Sequence, residues 1–247
     1  MGARPVILVE EARREHCHKC DVRQKSVCRA IDDAGLAKLS AAAVIVDVKK
    51  GETFMMEGDP AIDFFNVTHG TVKLFKLMHD GRQQVVGFAG AGYLLGLAVS
   101  KAYASSAIAI EPVRMCRFSR TKLRTLMDDF PRLEALLLEI ACDELAAAQE
   151  QMLLLGRKSA QERLASFLVS WGAITNPCAH GDRVALPMTR GEIADYLGLT
   201  IETVSRTFSK FKAEKRIQTL SNDEVILLDR AWLENLAEGA MASPSLA

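Results

Sequence analysis

Met188–Lys215 reads MTRGEIADYLGLTIETVSRTFSKFKAEK, and the local signals inside it decide the architecture of this end of the chain. Thr189 followed three residues later by Glu192 is a capping box, the start signal of a helix, and Ile193, Ala194 and Leu197 mark its apolar side. Gly198 stops that helix inside a tight connection, and Thr200 caps a second helix with Val204, Phe208 and Phe211 on its inner face. Helix, short glycine-bearing turn, helix is the helix-turn-helix unit. The outer face of the second helix presents Glu202, Ser205, Arg206, Ser209 and Lys210. Arginine donates two hydrogen bonds to guanine, glutamate accepts from cytosine N4, and serine does either. These residues sit in the first turns, the part of such a helix that reaches base edges in the major groove. They are the candidate DNA-binding residues. Lys210, Lys212 and Lys215 lie further along, where cations meet phosphates and give affinity without sequence information. Beyond them Ile217–Leu220 and Val225–Leu228 flank Ser221-Asn222-Asp223, the pattern of a hairpin wing.

Working outward, the whole chain has 247 residues, 49% apolar and 25% charged, which is ordinary globular composition. Disordered, collagen-like and disulfide-stapled classes are excluded. Lys plus Arg and Asp plus Glu both total 31, but the balance hides a local asymmetry. Asp128 to Glu150 is acidic, with Arg132 the one base; Thr200 to Arg216 is basic, the sign expected of a segment that meets a polyanion. Val6-Ile7-Leu8-Val9 is too short for a signal-peptide core, and no stretch approaches the ~20 apolar residues of a membrane span. A cytoplasmic protein without membrane contact is expected, in which thiols stay reduced.

From Val44 to Phe118 short β-branched and aromatic runs alternate with glycine turns: Val44–Val48, Thr53–Met56, Phe64–Thr68, Val72–Met78, Gln83–Phe88, Ala104–Ile110 and Val113–Phe118. Many short strands at near-regular spacing predict an antiparallel barrel or roll. Asp32 or Asp33 is expected to cap a short helix before it, and Ser119 a helix after it. Pro131 then opens a helix free of Gly and Pro until Gly156, about 36 Å long at 1.5 Å per residue. Leu138, Ala141, Leu145, Ala148, Met152 and Leu155 step along it by threes and fours, the seam of a coiled coil. The alanines allow two equivalent helices to approach closely, so the seam predicts a two-fold homodimer. The predicted class is α+β: a cysteine-bearing arm (1–30), an antiparallel β-roll (31–130), a dimerisation helix (131–157) and a winged helix-turn-helix domain (158–247).

Cys17, Cys20 and Cys28 are spaced C-x2-C-x7-C in a polar arm that offers no strand to bury them, so packing does not explain them. The first pair has the spacing shared by zinc, iron–sulfur and thioredoxin-like sites, and the thioredoxin type lacks its βαβ context. Four thiolates would complete a zinc or iron–sulfur site. Residue types leave the fourth open among Cys116, Cys142 and Cys178, with His16 and His18 beside the arm pair.

Arm, roll, long helix and helix-turn-helix in that order resemble the CRP/FNR superfamily of bacterial transcription regulators. The likeness to its FNR branch runs from about Cys17 to Leu236. It rests on the cysteine arm, EPVRMCRF around Cys116, QMLLLGRKSAQERLASFL from Gln151 to Leu168, and Glu202, Ser205 and Arg206 as the E-x-x-S-R signature. The resemblance implies a regulator of anaerobic or microaerobic genes in which Cys17, Cys20, Cys28 and Cys116 hold an oxygen-labile 4Fe-4S cluster. It implies a dimer reading a palindrome related to TTGAT-N4-ATCAA, and an RNA polymerase contact through the hairpin near His79 to Gln84. Two departures stand out. The arm has C-x2-C-x7-C where the best-known FNR has C-x2-C-x5-C, and Ala148 stands where the family can carry an acidic residue opposing dimerisation. The cyclic-nucleotide branch carries an arginine before Ser or Thr in its phosphate cassette; GLAVSKAYASSA (96–107) has none, so no cyclic nucleotide is expected. A zinc-stabilised regulator and a thiol-redox protein are the competing readings of the cysteines.

Overall fold

The computed structural model describes residues 5–6, 17–97, 101–175 and 182–239. They form two compact units, Met1–Arg82 with Val86–Leu145, and Ala146–Ala247 with Gln83–Val85.

The first unit is the roll. Its strands are β1 (Pro5–Val6), β2 (Ala43–Val48), β3 (Thr53–Met55), β4 (Asp63–His69), β5 (Val72–Leu77), β6 (Gln83–Ala89), β7 (Leu94–Leu95), β8 (Ser106–Ala109) and β9 (Val113–Ser119). They make one sheet in the order β1-β2-β9-β4-β7 and another in the order β3-β8-β5-β6. All seven strands read from the β-branched runs are present. The strand period of two turns neighbouring residues to opposite faces, and β9 uses both. Met115 and Val113 join Val46, Val67, Val72 and Ala107 in a core enclosed by the roll. Cys116 and Phe118 join a second core with Ile45, Leu94 and three helical segments. Those segments are α1 (Leu36–Ala42), α2 (Arg120–Asp129) and the start of α3 (Pro131–Arg157). Leu36, Leu123, Leu126 and Leu133 are each less than 5% exposed there, and full burial of such a side chain is worth about 1.5–3 kcal/mol.

Three readings of the amino-terminal region are corrected. The arm is not a free polar tail: Pro5 pairs with Val46 and Val6 with Ile45, and Val22, Val27 and Ile31 are buried. Packing therefore does reach the arm thiols, since Cys17 and Cys28 lie against the second core. Neither aspartate caps α1, whose N-cap is Gly35; the Asp32 carboxylate instead accepts from the Gly35 amide at 2.8 Å and closes the preceding turn. Ser119 does cap α2, accepting from the Lys122 amide.

The second unit contains α4 (Ala160–Thr175), α5 (Arg190–Leu197), α6 (Ile201–Ala213), α7 (Arg230–Ala237) and a three-stranded sheet. Its strands β10 (Arg183–Ala185), β11 (Ile217–Ser221) and β12 (Glu224–Leu227) run in the order β10-β12-β11. The expected wing is β11–β12. The third strand adds a hydrogen bond from the Trp171 indole to the Ala185 carbonyl at 2.7 Å. Leu164, Leu168, Leu186, Met188, Ile193, Leu197 and Phe211 are its largest fully buried side chains. Among the described residues no helix is long and apolar enough to cross a membrane.

Candidate functional site

The turn between α5 and α6 is built from its caps. Thr189 and Glu192 exchange both hydrogen bonds of the capping box. Gly198 ends α5 with φ +61° and ψ +41°, a left-handed conformation in which a Cβ is penalised. The Thr200 hydroxyl accepts from the Thr203 amide and starts α6. Val204, Thr207, Phe208 and Phe211 turn inward, which leaves Glu202, Ser205, Arg206, Ser209 and Lys210 exposed on one outer face. Backbone amide and Thr200 hydroxyl contacts hold the Glu202 carboxyl below its ordinary range, so it is an acceptor at neutral pH. The Arg206 Nε lies 3.4 Å from the Glu202 carbonyl, and the Ser209 hydroxyl donates to Ser205 at 2.9 Å. Lys210 stands 3.8 Å from Glu214. One cation absent from the sequence reading is Arg190, whose guanidinium stacks 3.4 Å above the Phe208 ring. The spacing of Arg190 to Phe208 carries no helical period because the turn intervenes.

Most of the seam of α3 is left open by its own chain. Leu138, Leu145 and Met152 are 67%, 61% and 65% exposed, and Leu155 is 36% exposed. Ala141 and Ala148 are exposed with them, as is Cys142 beside the seam. Burial on α3 goes instead to Leu133, Leu136 and Leu154.

Cys17, Cys20, Cys28 and Cys116 line one small cavity of about 20 Å³ together with Arg23, Asn66, Leu36, Leu39 and Phe118. Cys28 is placed by a short 3-10 turn, Val27–Ala30, that the Ser26 hydroxyl caps by accepting from the Cys28 amide. Cys116 comes from β9, paired with Ile45 on one side and Asn66 on the other. Burial pushes the Cys28 thiol up to about 11. It raises Cys116 and Cys17 as well, with neighbouring thiols adding to the effect. Burial thus favours the protonated form of Cys17, Cys28 and Cys116, and any metal that binds must displace those protons. Two buried polar atoms in the lining, Arg23 Nε and Asn66 Oδ1, have no hydrogen-bond partner. Arg23 is otherwise anchored, donating to Asp33 at 2.6 Å and to the Ile31 carbonyl at 2.9 Å.

Among the described residues no three His, Cys, Asp or Glu side chains converge closely enough to hold a single metal ion. A multi-iron centre demands less convergence, because each thiolate takes its own iron. The donor set fits such a centre, with four sulfurs, no competing carboxylate or imidazole, and a guanidinium on the wall. The cavity is about one water in size, so the arm must move outward to admit one. Cys178 and His16 lie outside the described residues, and Cys142 does not line the cavity and is exposed on α3.

A larger cavity of about 420 Å³ in the first unit is lined by Phe64, Leu74, Tyr93, Leu95, Tyr103 and Ser105, among others. Among the described residues its lining holds Glu144 and no arginine or lysine. Residues 98–100 of the cassette segment lie outside the described residues. At the expected polymerase-contact hairpin, Asp80 pairs with Arg82 at 2.8 Å, and Leu77 and Met78 are half exposed.

Comparison with known proteins agrees with this layout. Residues 162–236 match the Crp-like helix-turn-helix domain, and residues 45–130 match the cyclic nucleotide-binding domain. The nitrogen fixation regulation protein FixK of Bradyrhizobium diazoefficiens is 39% identical over 95% of this chain and 99% of its own. The transcriptional activator protein FnrL of Cereibacter sphaeroides is 36% identical over 88% of this chain and 90% of its own. The solved structure of FixK2 from Bradyrhizobium japonicum superposes with a TM-score of 0.74 at 33% identity, covering 81% of this chain and 99% of that one. With roll, long helix and helix-turn-helix aligned from end to end, the chain belongs to the CRP/FNR family of DNA-binding transcription regulators and is not an enzyme.

Proposed function

We propose that this regulator responds to oxygen through a 4Fe-4S cluster held by Cys17, Cys20, Cys28 and Cys116. The observation that carries the reading is the meeting of three arm sulfurs with a β9 sulfur at one buried pocket. When bound, the cluster supplies an oxygen-labile bond between the arm and the sheet. The chain's own residues supply the rest. Arg23 places a positive charge on an anionic centre and keeps Nε available for hydrogen bonding. Arg29 pairs with Glu139 at 3.0 Å, and Ile31 shares a core with Leu133 and Leu136, so a pinned arm steadies the first turns of α3. Leu138, Ala141, Leu145, Ala148, Met152 and Leu155 then meet a second copy. Asp143, Glu144 and Glu150 set like charges beside that seam, to be outweighed only when the helices are well placed. The resulting dimer reads a TTGAT-N4-ATCAA-like palindrome with Glu202, Ser205, Arg206, Ser209 and Lys210, and reaches RNA polymerase through the 79–84 hairpin. Family members act as dimers, and two half-site grips add only when the reading helices are held about 34 Å apart.

Iron and acid-labile sulfide measured on protein purified without oxygen test the proposal directly. A brown protein containing both supports it; colourless protein carrying stoichiometric zinc would replace it with a zinc-stabilised regulator. At the DNA, Arg206→Ala is expected to lose about 1–3 kcal/mol of discrimination at one base pair per half-site. Binding to a panel of single-base variants checks this, and an unchanged preference would remove Arg206 from base reading.

A further inference from the structure

We infer that Arg163 is a positioning residue that fastens the turn of the helix-turn-helix to the end of α3, so that the dimer helices dictate the permitted distance between half-sites. The inference rests on the palindrome-reading dimer proposed above. Four backbone carbonyls receive this one guanidinium. Its Nη2 donates to Leu155 at 2.8 Å and its Nε to Lys158 at 2.9 Å, at and just beyond the end of α3. Its Nη1 donates to Leu197 at 2.9 Å and lies 3.4 Å from the Gly198 carbonyl, at the end of α5.

Helix ends leave their last carbonyls without partners, and each C-terminus carries about half a negative charge. Arg163 answers two such ends at once. A second tie runs parallel: Gln151 Nε2, from the last two turns of α3, donates to the Tyr196 carbonyl at 2.9 Å. Close approach at the joint is also built in, since a Cβ at Gly198 would stand 3.1 Å from Leu155 Cδ2 and 3.4 Å from Arg163 Nη1. The seam of α3 and the turn that aims α6 are thereby joined by side-chain hydrogen bonds as well as by the chain through α4. Lysine keeps the charge but not the planar fork that spans both ends.

Full-length protein prepared without oxygen is titrated against duplexes carrying one half-site, or two half-sites separated by 3, 4 or 5 base pairs. One base pair moves a half-site by about 3.4 Å and turns it by about 35°. Wild type is expected to bind the 3- and 5-base-pair spacings at least ~10-fold more weakly than the 4-base-pair spacing, because avidity disappears when both sites cannot be engaged. In Arg163→Lys that penalty should shrink to ~3-fold or less while single half-site affinity stays within ~3-fold of wild type. Retention of the full penalty would overturn the inference, and so would parallel loss of half-site binding, which marks Arg163 as mere support for the fold. If Arg163→Lys does not fold, Gln151→Leu reads the same penalty: a reduction supports the joint and no change overturns it. A wild type indifferent to spacing would overturn the palindromic dimer and the joint together, whereas a discriminating wild type with an equally discriminating variant overturns the joint alone.

Discussion

Cys116→Ser protein purified without oxygen is expected to lose nearly all its iron and acid-labile sulfide and to bind the palindrome about 100-fold more weakly than wild type, the scale of lost two-site avidity. The substitution is close to isosteric, and the pocket offers the new hydroxyl an acceptor in the unpartnered Oδ1 of Asn66. The sheet should therefore survive, and metal-free wild type and variant should melt within a few degrees of each other. Unequal melting of the metal-free forms would point to packing of β9 rather than ligation. Full iron and sulfide in Cys116→Ser would show that the fourth sulfur comes from elsewhere.

Leu145→Asp carries the second large effect. Leu145 is 61% exposed in the single chain, so the charge costs little there, and it lies at the middle of the seam proposed to meet a second copy. A two-fold axis through the proposed seam would double the change, placing two unpaired carboxylates in one apolar contact that already has Asp143 and Glu144 beside it. An uncompensated buried charge costs about 3–5 kcal/mol. Sedimentation should show monomer at concentrations where wild type is dimeric, and palindrome affinity should fall to the level of a single half-site. A dimeric Leu145→Asp would move the interface off this stripe. Like Cys116→Ser, it would leave half-site recognition by α6 intact, so the two variants separate sensing and assembly from reading.

The helix-turn-helix was legible because its signals are local: a capping box at Thr189, a left-handed glycine at 198 and one apolar stripe. The roll strands were equally plain, since β-branched runs and glycine turns alternate within a few residues. The arm was not legible. Val22, Val27 and Ile31 are separated by charges and lie in or at the ends of short 3-10 turns that have no period to detect, so buried chain looks like a polar tail. β7 and β10 are two and three residues long and escape for the same reason. α7 was missed although Asp229 caps it by accepting from the Trp232 amide. Among the site residues, spacing paired Cys17 with Cys20, but residue types could not rank Cys116 above Cys142. The ranking comes from strand register, which turns Cys116 outward opposite Asn66 toward the arm.

Ten consecutive residues of α3, 141–150, are exposed, and only Ala141 and Glu144 of them line the cavity of the first unit. Isolated helices of that length are marginal in water, so in a lone subunit this stretch, with little tertiary support, is expected to open more readily than the buried turns at Leu133 and Leu154. Local opening is what proteases recognise. Association through the proposed seam would then govern persistence as well as DNA binding: an undimerised copy would expose a cleavable midpoint, and a paired copy would hide it.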